Sequence, residues 1–390
     1  MIDAAANGFS SLESYHLSGL VPAHDFMFES GLAYLNTGSL GATPRVVMNS
    51  AIEAWKKIEL SPTVNAYGIM EKLMETVREK AAIFLGCKTD ELVLTRSTTD
   101  GMNTVAQALG LQNGDRVLTT DQEHPGGRSG WDYMARTLGV IVDIVPIPPG
   151  ENDAHAIVER FSNAIKPKTR VVMFSHLLSS TGLRMPVKEL TDLARDHGCL
   201  SVIDGAQAIG GIQVDVKSLG CDIYVTSGHK WLLGPTGTGL LYLSETLGTK
   251  VDPICLQGGR HAYSDSSGVC NIPGVIGLGA AIDYVVRIGT KRVEGHNLEL
   301  RNKLYTKLAG MTRLNVVSPP PGPLASPMVT YRLPDVFESR ALSNTLLSKH
   351  SLSVKTVPKV WMNGHRISTH LYNSEQDIDR LVDALNKEIA

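Results

Sequence analysis

Cysteine is scarce in this chain. Five occur in 390 residues, Cys87, Cys199, Cys221, Cys255 and Cys270, with no C-x-x-C pair; neither a disulfide framework nor a thiolate zinc site is on offer, and a reducing cytoplasm is the expected setting. An excess of either charge is missing too. Lys and Arg number 37 against 39 Asp and Glu, a formal net charge of -2, which gives no broad attraction to nucleic acid or an anionic membrane. No apolar run reaches the roughly 20 residues of a membrane helix. The longest, 272–286, is interrupted by Pro273, several glycines and Asp283. The opening MIDAAANGFSSLESYH has no basic start followed by an apolar core, so no secretory signal is expected. No repeat, charge block or Gly/Ser linker divides the chain, and no G-x-G-x-x-G opens a helix after a strand, which weakens a nicotinamide-dependent reading. With 43% hydrophobic residues, what remains is a large globular protein acting on a small molecule.

What is present is alternation. From about residue 70 to 245 amphipathic stretches such as MEKLMETVREKAAIFLG and VKELTDLARDHG take turns with short β-branched runs: ELVLT, RVLTT, VIVDIVP, TRVVMFS, LSVID and DIYVTS. That rhythm predicts a doubly wound α/β domain around a mainly parallel sheet. Around 245–290 the pattern reads as Gly-rich and irregular. A smaller α+β domain is expected after it, with a strand at MVTYRL, a helix over 338–349 and a terminal helix whose stripe is Ile378, Leu381, Val382 and Leu385. The expected division is an arm at 1–30, a large domain at 31–285 and a small domain at 286–390.

In an open parallel sheet, ligands bind beyond the carboxyl ends of the strands, so the polar residues that follow each apolar run are informative. ELVLT is followed by Arg96, Ser97, Thr98, Thr99 and Asp100; RVLTT by Asp121, Gln122, Glu123 and His124; VVMF by Ser175, His176 and Ser179. LSVI leads to Asp204 and Gln207, and DIYVT to Ser227, Gly228, His229 and Lys230. Each alone has an ordinary explanation as a helix cap or a hydrogen-bonded buried group. Caps alone do not require a lysine, a carboxylate, an imidazole and a phosphate cradle to converge.

Those ingredients suit pyridoxal phosphate. Lys230 can form a Schiff base with its aldehyde, and Asp204 can keep the pyridine nitrogen protonated so that the ring accepts electrons. The phosphate is assigned to Thr98 and Thr99 at a helix N-terminus together with Ser227 and His229. His124 is expected against the ring face and Gln207 at the phenolic oxygen.

At SVIDGAQAIGGIQVDV followed by DIYVTSGHKWLLGPTGTGLLYL the chain resembles the class V aminotransferase group of fold type I pyridoxal-phosphate enzymes, which includes cysteine desulfurases, kynureninases and isopenicillin N epimerase-like proteins. LNTGSLGATP, TRSTTDGMN, EHPGGR, SHLLSSTGLRMPVKEL and HRISTHLYNSEQDIDRL extend the resemblance over most of the chain. It implies a mainly parallel seven-stranded sheet in the large domain and a homodimer with its site at the subunit interface. It also implies that Arg366 grips a substrate α-carboxylate, which suits a planar guanidinium. Asn36 is a further substrate-contact candidate, and Arg260 and Tyr263 are candidates for the partner's pocket.

Departures bear on the reaction. Desulfurase-like members carry a nucleophilic cysteine shortly before the carboxylate arginine, and 341–366 contains none, so cysteine desulfuration is not expected. Ser179 stands where desulfurases place an asparagine near the phenolic oxygen, and Val269 where many relatives have a phosphate-binding threonine. Cys270 reads as a structural thiol more readily than an active-site one. The resemblance leaves β-elimination, a carbon-sulfur lyase reaction, or epimerisation ahead of transamination and decarboxylation on an amino acid with a free carboxylate. A non-catalytic descendant of the fold is the alternative of another class.

Overall fold

A computed structural model of the chain describes residues 19–251, 260–262, 268 and 270–389. Up to residue 251 the described strands are short and mostly apolar. They are β1 (Ala33–Tyr34), β2 (Leu92–Thr95), β3 (Arg116–Thr120), β4 (Ile141–Val145), β5 (Thr169–Ser175), β6 (Leu200–Asp204), β7 (Ile223–Ser227) and β8 (Gly239–Leu243). Seven of them form one sheet in the order β2-β8-β7-β6-β5-β3-β4. The pairs from β7 through β6, β5 and β3 to β4 are all parallel, while β8 runs antiparallel to both β7 and β2. This is the expected mainly parallel seven-stranded sheet.

Helices α1 (Arg45–Leu60), α2 (Pro62–Asn65) and α3 (Glu71–Leu85) precede the sheet, and α4 (Thr98–Ala108), α5 (Pro125–Leu138), α6 (Ala154–Ala164), α7 (Val187–Asp196) and α8 (Val216–Leu219) connect its strands. Met102, Val105, Trp131 and Met134 of α4 and α5 bury one face of the sheet against Val171, Met173 and Val225. Ile157 and Phe161 of α6, Leu190 of α7 and Val77 of α3 cover the other with Val172, Phe174 and Ile203. Strands buried on both sides read as near-continuous hydrophobic runs, which is why they stand out in the sequence.

The stretch before residue 290 departs from the expected irregularity: Ile272–Ile288 is a helix, α9, followed by α10 (Thr290–Ala309) after a 76° turn at Gly289. Asn271 caps α9 by accepting from the Gly274 N–H, and Pro273 sits in its first turn, where no intrahelical N–H is lost. Its glycines serve close packing rather than turning: a Cβ at Gly277 would stand 2.6 Å from Pro235 and one at Gly279 2.5 Å from Val77. Among the described residues no single helix is long and apolar enough to cross a membrane.

Beyond α10 lies a four-stranded antiparallel sheet, β12-β13-β10-β9, from β9 (Asn315–Val316), β10 (Met328–Arg332), β12 (Lys355–Val357) and β13 (Gly364–Ser368). β11 (Leu352–Ser353) pairs separately and in parallel with β1. Leu300 and Leu304 of α10, Leu346 of α11 (Ser339–His350) and Ile378, Leu381 and Leu385 of α12 (Glu375–Glu388) make one core with Val329, Tyr331 and Ile367. Val382 of the predicted stripe packs at its margin. Ser374 and Asp377 close a reciprocal cap on α12.

Candidate active site

The carboxyl ends of β2, β5, β6 and β7 open onto a cleft of about 420 Å³ that the four-stranded sheet closes from the other side. Thr98, Thr99, His124, Ser179, Asp204, Gln207, Ser227, His229, Lys230 and Arg366 all line it. Sequence neighbours could not have shown this meeting: Asp204 ends β6 and Ser227 ends β7, whereas Arg366 comes from β13 in the other sheet.

One side of the cleft is a ring of donors. Ser97 caps α4 through the Asp100 N–H. The Ser227 hydroxyl oxygen accepts from the Thr98 N–H at 3.1 Å and lies 2.7 Å from the Thr98 hydroxyl. His229 Nδ1 is buried without a hydrogen-bond partner, an uncommon condition that calls for a ligand or an explanation. Hydroxyls, an unpaired ring nitrogen and the N-terminus of an 11-residue helix are a donor set suited to a phosphate.

Asp204 lies on the floor, 4% exposed. One carboxylate oxygen accepts from the Ala206 N–H at 2.9 Å. Burial pushes its pKa up, opposed by that N–H and by the Lys230 charge. A buried carboxylate of this kind is stabilised by a cationic donor brought against it, which a protonated pyridine nitrogen provides. Gly127 leaves room: a Cβ there would stand 2.5 Å from Asp204 Oδ2. Gly127→Ala is therefore expected to displace the carboxylate and weaken cofactor binding about tenfold or more, the effect of roughly 1–3 kcal/mol of overpacking. Titration of apo-protein with pyridoxal phosphate measures it.

Lys230 follows β7 in a turn whose neighbour carbonyl, His229 O, accepts from the Gly41 N–H at 2.9 Å. Burial pulls its pKa down to about 8, with Asp204 opposing and Arg366 and Lys355 adding to the fall. His124 caps α5, its Nδ1 accepting from the Gly126 N–H at 3.0 Å, which leaves Nε2 to carry the hydrogen of the neutral ring. Burial, then Lys230, Arg366 and Lys355, lower its pKa. Gln207 spends one amide hydrogen on Gly38 O at 2.8 Å and accepts from Trp231 Nε1 at 2.9 Å, keeping a second N–H. These residues fit pyridoxal phosphate: phosphate donors at α4, an acid for the ring nitrogen, an amine for the aldehyde and an imidazole in the same cleft.

Arg366 is 4% exposed. It donates to Ser179 O at 2.9 Å and to the Ser39 hydroxyl at 3.3 Å, while its Nε is buried with no partner. A guanidinium held with donors to spare is prepared for a carboxylate. The close approach requires Gly38, where a Cβ would stand 2.8 Å from Arg366 Nη2.

Other candidates lie elsewhere. Asn36 does not line the cleft; its carbonyl accepts from Ser39 N at 2.9 Å, so the chain turns and presents Gly38 and Ser39 instead. The Arg260 guanidinium bonds to the carbonyls of Asp90 and Leu243, outside this cleft. Tyr263 and Val269 fall outside the described residues. Cys270 packs with its sulfur 3.4 Å from Met74 Sδ. His176 is a core residue: burial takes its pKa down to about 3, and its Nδ1 meets the Tyr224 hydroxyl at 2.9 Å.

Two residues escaped sequence reasoning. Lys355 and Trp361 line the cleft, though in SVKTVPKVW they look like ordinary residues of an edge strand and loop. Glu123 is buried beneath it, accepting from Thr120 and from the Ser175 hydroxyl and N–H. Burial raises its pKa to about 7, with the Asp204 charge adding to the rise.

Residues 34–381 match the family model for aminotransferase class V. Isopenicillin N epimerase of Amycolatopsis lactamdurans is 32% identical, the match covering 90% of this chain and 94% of that protein. A probable cysteine desulfurase of Methanothermobacter thermautotrophicus is 30% identical over 92% and 94%. Among solved structures, a C-DES mutant with glycine covalently linked to its PLP cofactor superimposes with a TM-score of 0.83 at 23% identity, covering 91% of this chain and 96% of that one, a likeness of fold. The desulfurase relatives overturn the expectation that cysteine desulfuration is excluded. That expectation rested on one missing thiol in one loop, whereas the likeness spans nine tenths of both chains; a single side chain does not define the chemistry of a cleft built from two sheets.

Proposed function

We propose, for a chain that belongs to the aminotransferase class-V family and is a pyridoxal-phosphate-dependent enzyme, that it cleaves a carbon-sulfur bond at Cβ of an amino acid by β-elimination. The supporting observation is the trio of a buried amine with a depressed pKa, a buried carboxylate and an under-used guanidinium in one cleft. Bound there, pyridoxal phosphate supplies an aldehyde for an amine and a ring that withdraws electrons from Cα.

The rest is the work of the chain. Thr98, Thr99, Ser227 and His229 hold the phosphate, and Asp204 holds the proton on the ring nitrogen. Arg366 takes the substrate α-carboxylate and turns the molecule so that its Cα–H faces Lys230. The Lys230 amine, neutral in a useful fraction near pH 7 because burial disfavours its charge, removes that proton. As the Cβ–S bond breaks, the electron pair left at Cα forms a Cα=Cβ double bond and the sulfur leaves as a thiolate that takes up a proton; water then hydrolyses the released dehydroamino acid to a 2-oxo acid and ammonium. Curated relatives that act on cysteine sulfur support this choice of bond.

The relative named as an epimerase favours a second reading, return of the proton to the opposite face of Cα. A panel of S-substituted cysteines and free amino acids, followed by 2-oxo-acid release and chiral chromatography, decides between them. Thiol and 2-oxo-acid release supports elimination, and racemisation without release replaces it with epimerisation.

The depressed lysine pKa carries its own expectation. Capture of pyridoxal phosphate by apo-protein needs the neutral amine, so its rate should rise about tenfold per pH unit from about pH 6 and level off near pH 8, the unprotonated fraction setting the slope. Stopped-flow absorbance reads it; a rise continuing past pH 10 would place the amine in water.

The proposed working form is a homodimer. Helices α1 and α2 expose Trp55, Leu60 and Val64 at 62, 84 and 71%, apolar surface suited to a second copy. Sedimentation at micromolar concentration reads its state.

A further inference from the structure

The substrate's side chain is left open by the proposed elimination, and the distribution of charge in the cleft bears on it. Lys230, Lys355 and Arg366 line the walls, and the lining includes one carboxylate, Asp204 on the floor. Antiparallel pairing of β12 with β13 sets Lys355 directly opposite Arg366, which brings their Cβ atoms to about 5 Å on one face of the sheet. Like charges so placed repel each other. Partial burial of the stem is the main cause that lowers the Lys355 pKa, and the charges that add to the fall are those of Arg366 and Arg340, both positive. Among the described residues no acidic side chain answers this pair.

Depth separates the two cations. Arg366 is almost wholly buried and has one planar fork, which suits one carboxylate. Lys355 is exposed and shares its part of the cleft with Thr356, Pro358 and Trp361, the last 61% exposed. An amino acid held at Arg366 by its α-carboxylate would extend its side chain past Lys355 toward solvent. Resting on that reading of Arg366, we propose that Lys355 anchors a second acidic group, so that the cleft selects amino acids whose side chain ends in a carboxylate or similar anion, with the apolar stem against Trp361. A strongly hydrated point charge on a flexible stem suits an anion presented at variable reach.

The test uses the cofactor-loaded enzyme and two near-isosteric compounds, S-(2-carboxyethyl)cysteine and its amide S-(2-carbamoylethyl)cysteine. The acid should be preferred in kcat/KM by about two- to fivefold, the size of one exposed charge pair, and less so in high salt. Lys355→Gln should raise KM for the acid and narrow the preference toward unity, and Lys355→Glu should shift it toward S-(2-aminoethyl)cysteine. A second readout needs no reaction: calorimetry should show glutarate binding wild type about two- to fivefold more tightly than butyrate, and Lys355→Gln losing that margin. If neither cysteine derivative is turned over while glutarate keeps its margin, the elimination reading falls and the second anion site stands. Equal turnover of acid and amide, with glutarate and butyrate binding alike, overturns the role of Lys355 and leaves the elimination intact.

Discussion

Lys230→Ala should reduce turnover by at least about a thousandfold, because it removes both the attachment point of the cofactor and the base for the Cα proton, and proton transfer alone contributes about 10²–10⁴. The loss should be one of chemistry, not of folding. Lys230 is buried with burial as the largest influence on its pKa, so its charged form is tolerated rather than a source of stability, and alanine removes that cost. The melting temperature of the variant should stay within a few degrees of wild type, within the usual range of a substitution that breaks no ion pair. Borohydride reduction followed by peptide mass spectrometry should find pyridoxyl-lysine at position 230 in wild type and none in the variant. A variant that keeps a tenth of wild-type turnover, or cofactor reduced onto another lysine, would remove the basis of the functional reading.

Arg366→Met carries the second largest expectation, a loss of about 3 kcal/mol in transition-state binding, or roughly 150-fold in kcat/KM for substrates with a free α-carboxylate. The effect should divide unevenly. Arg366 bonds to Ser179 O and Ser39 and to none of the phosphate donors, so affinity for pyridoxal phosphate should change little while the substrate KM rises steeply. Arg366→Lys should rescue poorly, because an ammonium cannot present two parallel N–H groups to a carboxylate. Amino-acid methyl esters, already poor substrates of wild type, should lose far less on substitution. Equal losses for acid and ester, or a parallel loss of cofactor affinity, would recast Arg366 as a strut between the sheets.

Legibility from sequence followed the locality of the physics. β5, β6 and β7 were readable because strands covered on both faces need unbroken apolar runs, and Asp204 and Ser227 were readable because they directly follow such runs at the sheet's carboxyl edge. α9 was misread as irregular because glycine and proline signal turns in isolation. There a capped N-terminus accommodates the proline, and contacts with Pro235 and Val77 require the glycines. Lys355 and Trp361 carried no local signal at all. Lysine in an edge strand and tryptophan in a loop are unremarkable until the pairing of β12 with β13 turns the first toward Arg366 and the cleft takes in the second. Asn36 shows the converse: a turn through its carbonyl delivers its neighbours Gly38 and Ser39 to the wall of the cleft.

Chemistry that resides in one strand end at a time, a lysine after β7, an acid after β6, hydroxyls at the start of α4, could thus be read from the chain in linear order, since apolar period and polar punctuation are properties of neighbouring residues. The opposition of Lys355 and Arg366, the unpaired Arg366 Nε and His229 Nδ1, and the burial that brings the Lys230 amine toward neutrality arise only when two sheets close over a common cleft. Distance between charges and exclusion of water are set by residues far apart in the chain, and no local pattern encodes them.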